Sequence, residues 1–154
     1  MSEARNIELG LVMEKTGVFD LVVISPDDPE AMLRHTQTCR EERIPFAADP
    51  SQQMARMSGD EIKKLIDGAT YLFMNEYELA LAIQKTGWSD AEILERVETR
   101  VITLGSTGAK VERRGNSEVR VGVPKEKAKV DPTGVGDSFR SGFIAGVAWG
   151  LNDE

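Results

Sequence analysis

The sequence predicts an α/β fold: a mostly parallel sheet in three αβα layers, with an antiparallel hairpin appended. Three observations carry this expectation. Short runs rich in β-branched residues alternate with longer amphipathic stretches, at the spacing of successive βαβ units with right-handed crossovers. Several of the amphipathic stretches open on capping patterns that satisfy the exposed amides of a helix start. Late in the chain the alternation gives way to two strand-like segments around a Gly115-Asn116 turn.

Taken in order, Phe19-Asp20-Leu21-Val22-Val23-Ile24-Ser25 is too short for a helix and apolar on both faces, as expected of a central strand in a parallel sheet. Pro29 stands just inside a helix start, behind Asp27 and Asp28, and that helix should reach about Arg43. Ile44 to Asp49 reads as the next strand. Ser58-Gly59-Asp60-Glu61 has the spacing of a capping box and opens a helix to roughly Asp67. Thr70 to Met74 is strand, Asn75 to about Thr86 is helix, and Ser89-Asp90-Ala91-Glu92 is a further capping box opening a helix toward Glu98. Strand returns at Arg100 to Leu104, and Ala109 to Arg114 and Glu118 to Val123 form the two arms of the hairpin. The last helix should run from near Gly134 through Leu151. On it Gly142, Gly146 and Gly150 recur in phase with Ser138, a stripe that permits close packing and costs roughly 1 kcal/mol per glycine against alanine. No repeat or linker divides the 154 residues, so a single domain over residues 1–154 is expected.

The composition excludes several function classes. With 19 basic and 26 acidic residues the formal charge is -7, against the basic footprint that nucleic acids and anionic membranes require. An anionic ligand must therefore be held locally, by backbone dipoles or a few basic side chains. Cys39 and His35 are the only residues of their kinds, which leaves no disulfide within the chain and no Cys/His zinc site; both read as structural. No apolar run reaches the length of a membrane span, and Met1-Ser2-Glu3-Ala4-Arg5 lacks the apolar stretch of a signal peptide. A cytoplasmic protein with no nucleic-acid or membrane partner is expected.

The most informative stretch is Asp131-Pro132-Thr133-Gly134-Val135-Gly136-Asp137, followed directly by the apolar helix pattern Phe143, Ile144, Val147, Leu151. Glycines at 134 and 136 let the backbone turn tightly and present consecutive amides at a helix N-terminus, where the dipole favours negative charge. Gly134, Val135 and Gly136 thus read as an anion hole. A carboxylate beside a phosphate site is an odd choice unless it accepts a proton or holds a metal, so Asp137 is assigned as general base. An ordinary loop with a capping aspartate gives the same pattern. Two further motifs stand where a strand meets a turn or helix: Asn75-Glu76-Tyr77-Glu78, which is equally a capping box, and Thr103-Leu104-Gly105-Ser106-Thr107-Gly108, which is equally a hairpin turn. No G-x-x-x-x-G-K-[ST] sequence is present, which rules out a Walker-type phosphate loop.

Asp131 to Asp137 resembles the D-T-x-G-A-G-D signature of the ribokinase-like (PfkB) sugar and nucleoside kinases, with Pro132 and Val135 in place of the commoner threonine and alanine. Asn75-x-x-Glu78 and Thr103-Leu104-Gly105-x-x-Gly108 are similar to that family's N-x-x-E and T-L-G-x-x-G, in the family's order. The D-P-T-G-V-G-D form, Met1 to Asn6, Ala48 to Gln53 and Lys85 to Ser89 resemble the actinobacterial adenosine kinases, so the likeness spans nearly the whole chain.

The resemblance implies a Rossmann-like, ribokinase-like fold and ATP-dependent transfer to a ribose-type hydroxyl, with adenosine to AMP as the first expectation. A free-sugar kinase such as ribokinase, or a non-catalytic anion-binding fragment, is the alternative. It also implies that Asn75, Thr103, Gly105, Ser106 and Gly108 line the ATP and that Glu78 organises water around Mg2+. Gln52 and Gln53 would face the substrate, with Arg56 supplying positive charge, and Asp131 would help bind a monovalent cation such as K+. The chain would be the nucleotide-binding and catalytic portion of such a kinase, lacking the family's N-terminal part and C-terminal end. Exposed sheet edge would then favour association, for example as a homodimer.

Overall fold

A computed structural model describes residues 7–125 and 133–152. Helix α1 (Leu9–Thr16) leads into β1 (Val22–Ile24), α2 (Pro29–Glu41), β2 (Phe46–Ala48), α3 (Gly59–Ile66), β3 (Tyr71–Asn75), α4 (Glu76–Thr86), α5 (Asp90–Glu95) and β4 (Thr99–Thr103). The hairpin β5 (Ala109–Arg113) and β6 (Val119–Val121) follows, then α6 (Val135–Ala148); single 3-10 turns occupy Ser51–Ala55 and Gly105–Thr107. The strands form one sheet in the order β1-β2-β3-β4-β5-β6, parallel through β4 and antiparallel after it. This is the expected α/β fold with its appended hairpin.

Because strand order follows chain order in one direction, right-handed crossovers lay the connecting helices on one face. There Ile24, Phe46, Leu72, Met74 and Ile102 of the sheet bury against Met32 of α2, Leu65 of α3, Ala82 of α4 and Ile93 of α5. Alternate residues of the same strands point the other way, as strand geometry demands. Ala47, Phe73, Val101 and Val111 meet Phe139, Phe143 and Ile144 of α6, completing the third layer. Phe143 sets its ring edge-on to Tyr71 (5.8 Å between centroids) and to Phe73 (5.5 Å). Both expected capping boxes form, at Ser58/Glu61 and Ser89/Glu92, and Asn75/Glu78 closes a third.

Several details depart from the sequence reading. Helix α1 was not expected, and Glu8 at its N-cap makes no side-chain cap that would have marked it. Strand β1 is not central but an edge strand among the described residues, with only β2 beside it and Val23 40% exposed. Helix α5 stops at Glu95 instead of continuing toward Glu98, because the Glu98 amide is already bonded to the Ala69 carbonyl at 3.1 Å as β4 begins. Helix α6 ends at Ala148, where Gly150 turns left-handed (φ 70°) and the Leu151 amide returns to the Gly146 carbonyl. The glycine stripe is therefore not a packing seam among the described residues: a Cβ at Gly142 would meet nothing within 4 Å, and one at Gly146 only the Leu151 side chain.

Candidate functional site

Parallel pairing brings the carboxyl ends of β1 to β4 to one edge of the sheet, where open α/β folds bind their ligands. Asn75 and Thr103 are direct neighbours there, paired across β3 and β4. Asp49 follows β2, its amide bonded to the Ile24 carbonyl at 3.0 Å. Helix α6 approaches the same edge from the opposite face with its N-terminus foremost. A hollow results whose lining includes Asp49, Asn75, Glu78, Thr103, Asp137 and Arg140.

The start of α6 has the features of an anion site. Gly134 adopts φ 77°, ψ 7°, a left-handed conformation that glycine enters at least cost, and no side chain caps the helix. The first helical bond closes from the Ser138 amide to the Gly134 carbonyl at 2.8 Å. The amides of Val135, Gly136 and Asp137 precede it, in the turn that has no carbonyl behind it, and residues 133–138 are exposed. Partial positive charge is thus offered to solvent where a phosphate could dock.

Asp137 points outward, its side chain 69% exposed, and its Oδ1 accepts a hydrogen bond from Arg140 Nη2 at 2.9 Å. Arg140 is the one buried residue of α6, and its Nη1 forms an ion pair with Asp49 Oδ2. Burial pushes the Arg140 guanidinium below its ordinary pKa, yet that value is so high that the group keeps its charge. Asn75 and Glu78 form a true capping box: Asn75 Oδ1 accepts from the Glu78 amide and Glu78 Oε2 accepts from the Asn75 amide, both at 2.8 Å. The structural reading of this motif is therefore correct, and the same two residues also line the hollow.

Two further hollows share Gly136 with the first. One, of about 500 Å³, lies between Gly105 and Gly108 on one side and Val135 and Phe139 on the other, with Val121 and Pro124 supplying apolar wall. Gly108 is required by its backbone: φ is 104°, and a methyl there would overlap the Val121 carbonyl. Ser106 sits in the exposed turn beside it without lining the hollow. The other includes Ser51, Gln52, Gly134, Asp137 and Arg140. Ser51 Oγ donates to Gln52 Oε1 at 2.8 Å from a left-handed backbone (φ 41°).

Gln53 and Arg56 line none of the three hollows. Lys85 Nζ holds their turn by donating to the carbonyls of Met54, Ala55 and Met57 at 2.8 to 2.9 Å. Asp131, assigned to a monovalent cation, lies outside the described residues, as do Pro132 and Met1 to Asn6. Cys39 is buried, which pushes its thiol up to about 11 and makes it unreactive. Sequence reasoning missed Asp49, Ser51 and Arg140. Arg140 stands three residues after Asp137 on a helix, a spacing that places the two side chains together and could have been read.

Comparison with known proteins finds relatives for this sequence and fold. The chain is 28% identical over 135 residues to the nucleoside kinase of Methanocaldococcus jannaschii, covering 88% of this chain and 44% of that protein. It is 31% identical over 144 residues to the ribokinase of Bacillus subtilis, covering 92% and 46%. It superposes on the nucleoside kinase of Burkholderia thailandensis in complex with inosine with a TM-score of 0.84 at 34% identity, over 88% of this chain and 45% of that one. The chain thus spans less than half the length of these proteins. Among the described residues no helix is long and apolar enough to cross a membrane. The sequence profile of the pfkB carbohydrate kinases matches residues 6–154, nearly the whole chain, and on that match the chain belongs to the pfkB family of carbohydrate kinases.

Proposed function

We propose that the chain is the nucleotide-binding and catalytic portion of an ATP-dependent kinase acting on a ribose-type hydroxyl, with adenosine as its acceptor. One observation carries this reading: an exposed carboxylate, Asp137, stands in the same helical turn as the uncapped amides of α6, at the carboxyl edge of the sheet. An acceptor hydroxyl would attack the γ-phosphoryl of ATP in line, passing its proton to Asp137 as the O–P bond forms and ADP leaves. The amides of Val135, Gly136 and Asp137 would stabilise the charge that accumulates on the migrating phosphoryl.

Asn75, Thr103, Gly105, Ser106 and Gly108 are assigned to ATP, and Gln52, Gln53 and Arg56 to the acceptor. The oxygen donors of this edge suit a hard divalent cation that keeps much of its own water. Glu78 uses only Oε2 in its capping bond, leaving Oε1 to hold Mg2+ through water. Bound Mg2+ would supply neutralisation of phosphate charge. Activation by K+ through Asp131 belongs to the same reading, and a rate unchanged across K+ concentrations removes that part.

Adenosine is placed ahead of a free sugar because nucleoside kinases recur among the similar proteins, one of them solved with inosine. The test is ADP formation by the full-length protein with adenosine, inosine, cytidine and ribose in turn. Turnover with adenosine above the other three supports the assignment. Preference for ribose makes the protein a free-sugar kinase, and Mg-ATP binding without turnover of any acceptor makes it a non-catalytic anion-binding protein.

A further inference from the structure

We propose that Arg140 is the positioning residue of this site, tying the Asp137 carboxylate to Asp49 at the end of β2 so that one oxygen of Asp137 is fixed and the other is presented to the acceptor. The inference rests on the reading of Asp137 as proton acceptor. Arg140 carries its charge at 9% residue exposure, on a helix otherwise half-buried or exposed. A guanidinium withdrawn from water is costly unless its fork is engaged. Here one arm donates to Asp137 Oδ1 and the other pairs with Asp49 Oδ2. Both arms of the guanidinium thus meet a carboxylate, one on its own helix and one at the end of β2.

The joined elements matter. Asp49 follows β2, in which Phe46, Ala47 and Ala48 are all buried, whereas α6 contributes a single buried residue. The bridge therefore ties a lightly packed helix N-terminus to the end of a buried strand.

The charged groups lining this hollow are Asp49 after β2, Glu78 on α4, and Asp137 and Arg140 on α6. Asp49 and Asp137 share the one guanidinium, so the three groups carry one net negative formal charge.

The experiment is a mutant cycle on ADP formation by the full-length protein, with thermal unfolding checked for each variant. Arg140→Gln should lower kcat about tenfold to a hundredfold, the scale of a displaced catalytic group, with KM for ATP within about threefold. Asp49→Asn should lower kcat in the same direction. In an Asp137→Asn background, Arg140→Gln should add less than about threefold, because residues acting as one unit are not additive. Should Arg140→Gln not fold, Arg140→Lys carries the test: it keeps the charge but cannot fork, and kcat should still fall by about tenfold. Wild-type kcat in the folded Arg140 variant, or an Arg140 effect that persists in full beside Asp137→Asn, overturns the proposal. An inactive Asp137→Asn beside an active Arg140→Gln removes the positioning role alone, whereas an active Asp137→Asn removes the base assignment and this inference with it.

Discussion

The two faces of the sheet are built to different standards. Under α2 to α5 the strands bury Leu72 and Ile102 completely, against helix residues such as Ile62, Leu65 and Ile93 that are equally inaccessible. On the other face α6 covers four buried sheet residues with half-buried side chains, and the only buried residue it contributes is charged. The first face supplies the apolar burial that holds the fold. The second is held lightly and has the uncapped amides of α6 at its tip. Stability and chemistry should therefore respond to different substitutions.

The sharpest way to break this contrast is Asp137→Asn. A positioned base is worth about a hundredfold to ten-thousandfold, so turnover of the full-length protein should fall by that order. The unfolding midpoint should stay near wild type, since the side chain is 69% exposed. A loss under about tenfold would mean that proton acceptance lies elsewhere. The converse substitution is Leu72→Ala, fully buried on the dense face, which should cost about 2–5 kcal/mol in urea unfolding. A cost below about 1 kcal/mol would show that the helices on that face pack too loosely to be the core.

How much of this could be read in the sequence follows the range of the interactions involved. Ser58 to Glu61 and Ser89 to Glu92 are local patterns, and both boxes form where expected. The expected strand from Phe19 to Ser25 pairs only over Val22 to Ile24, because apolarity marks burial and not the length of a ladder. Glycines at 142, 146 and 150 suggested a packing seam, but a small residue permits close approach without compelling it. The carboxylates at 49 and 137 meet through Arg140 only because β2 and α6 converge, and no local pattern encodes that meeting.

Phe143→Ala sharpens the comparison at intermediate size. Its ring is half-buried and touches Tyr71 and Phe73 edge-on. Half of the roughly 1.5–3 kcal/mol for full burial gives about 0.8–1.5 kcal/mol lost, less than at Leu72. Because the ring levels α6 on the sheet, kcat should fall as well, although Phe143 lines neither the Asp137 hollow nor the Gln52 hollow. Loss of stability with kcat intact would mean that the tip of α6 is positioned independently of its body.

The smallest effect expected is a pH dependence from the capping boxes. Bonds from the Ser58 amide, then the Ser58 hydroxyl, hold the Glu61 carboxyl below the usual range, and Ser89 does the same for Glu92. A carboxyl depressed in the folded state stabilises fully above its unfolded value, about 4.3, and the contribution is lost as pH falls through the lower folded value. The urea midpoint should thus decline on acidification below about pH 4, and Glu61→Gln with Glu92→Gln should flatten that decline. Glutamine still closes a capping box, so the pair of substitutions removes the titration and keeps the helix starts. An unaltered slope would assign the acid sensitivity to other carboxylates. Glu78→Gln supplies the contrast: it too preserves its cap, but it takes a carboxylate from the hollow that contains Asp137. If Glu78 holds Mg2+ through water, that change alone among the three should lower turnover at neutral pH, separating the motif's local role from its chemical one.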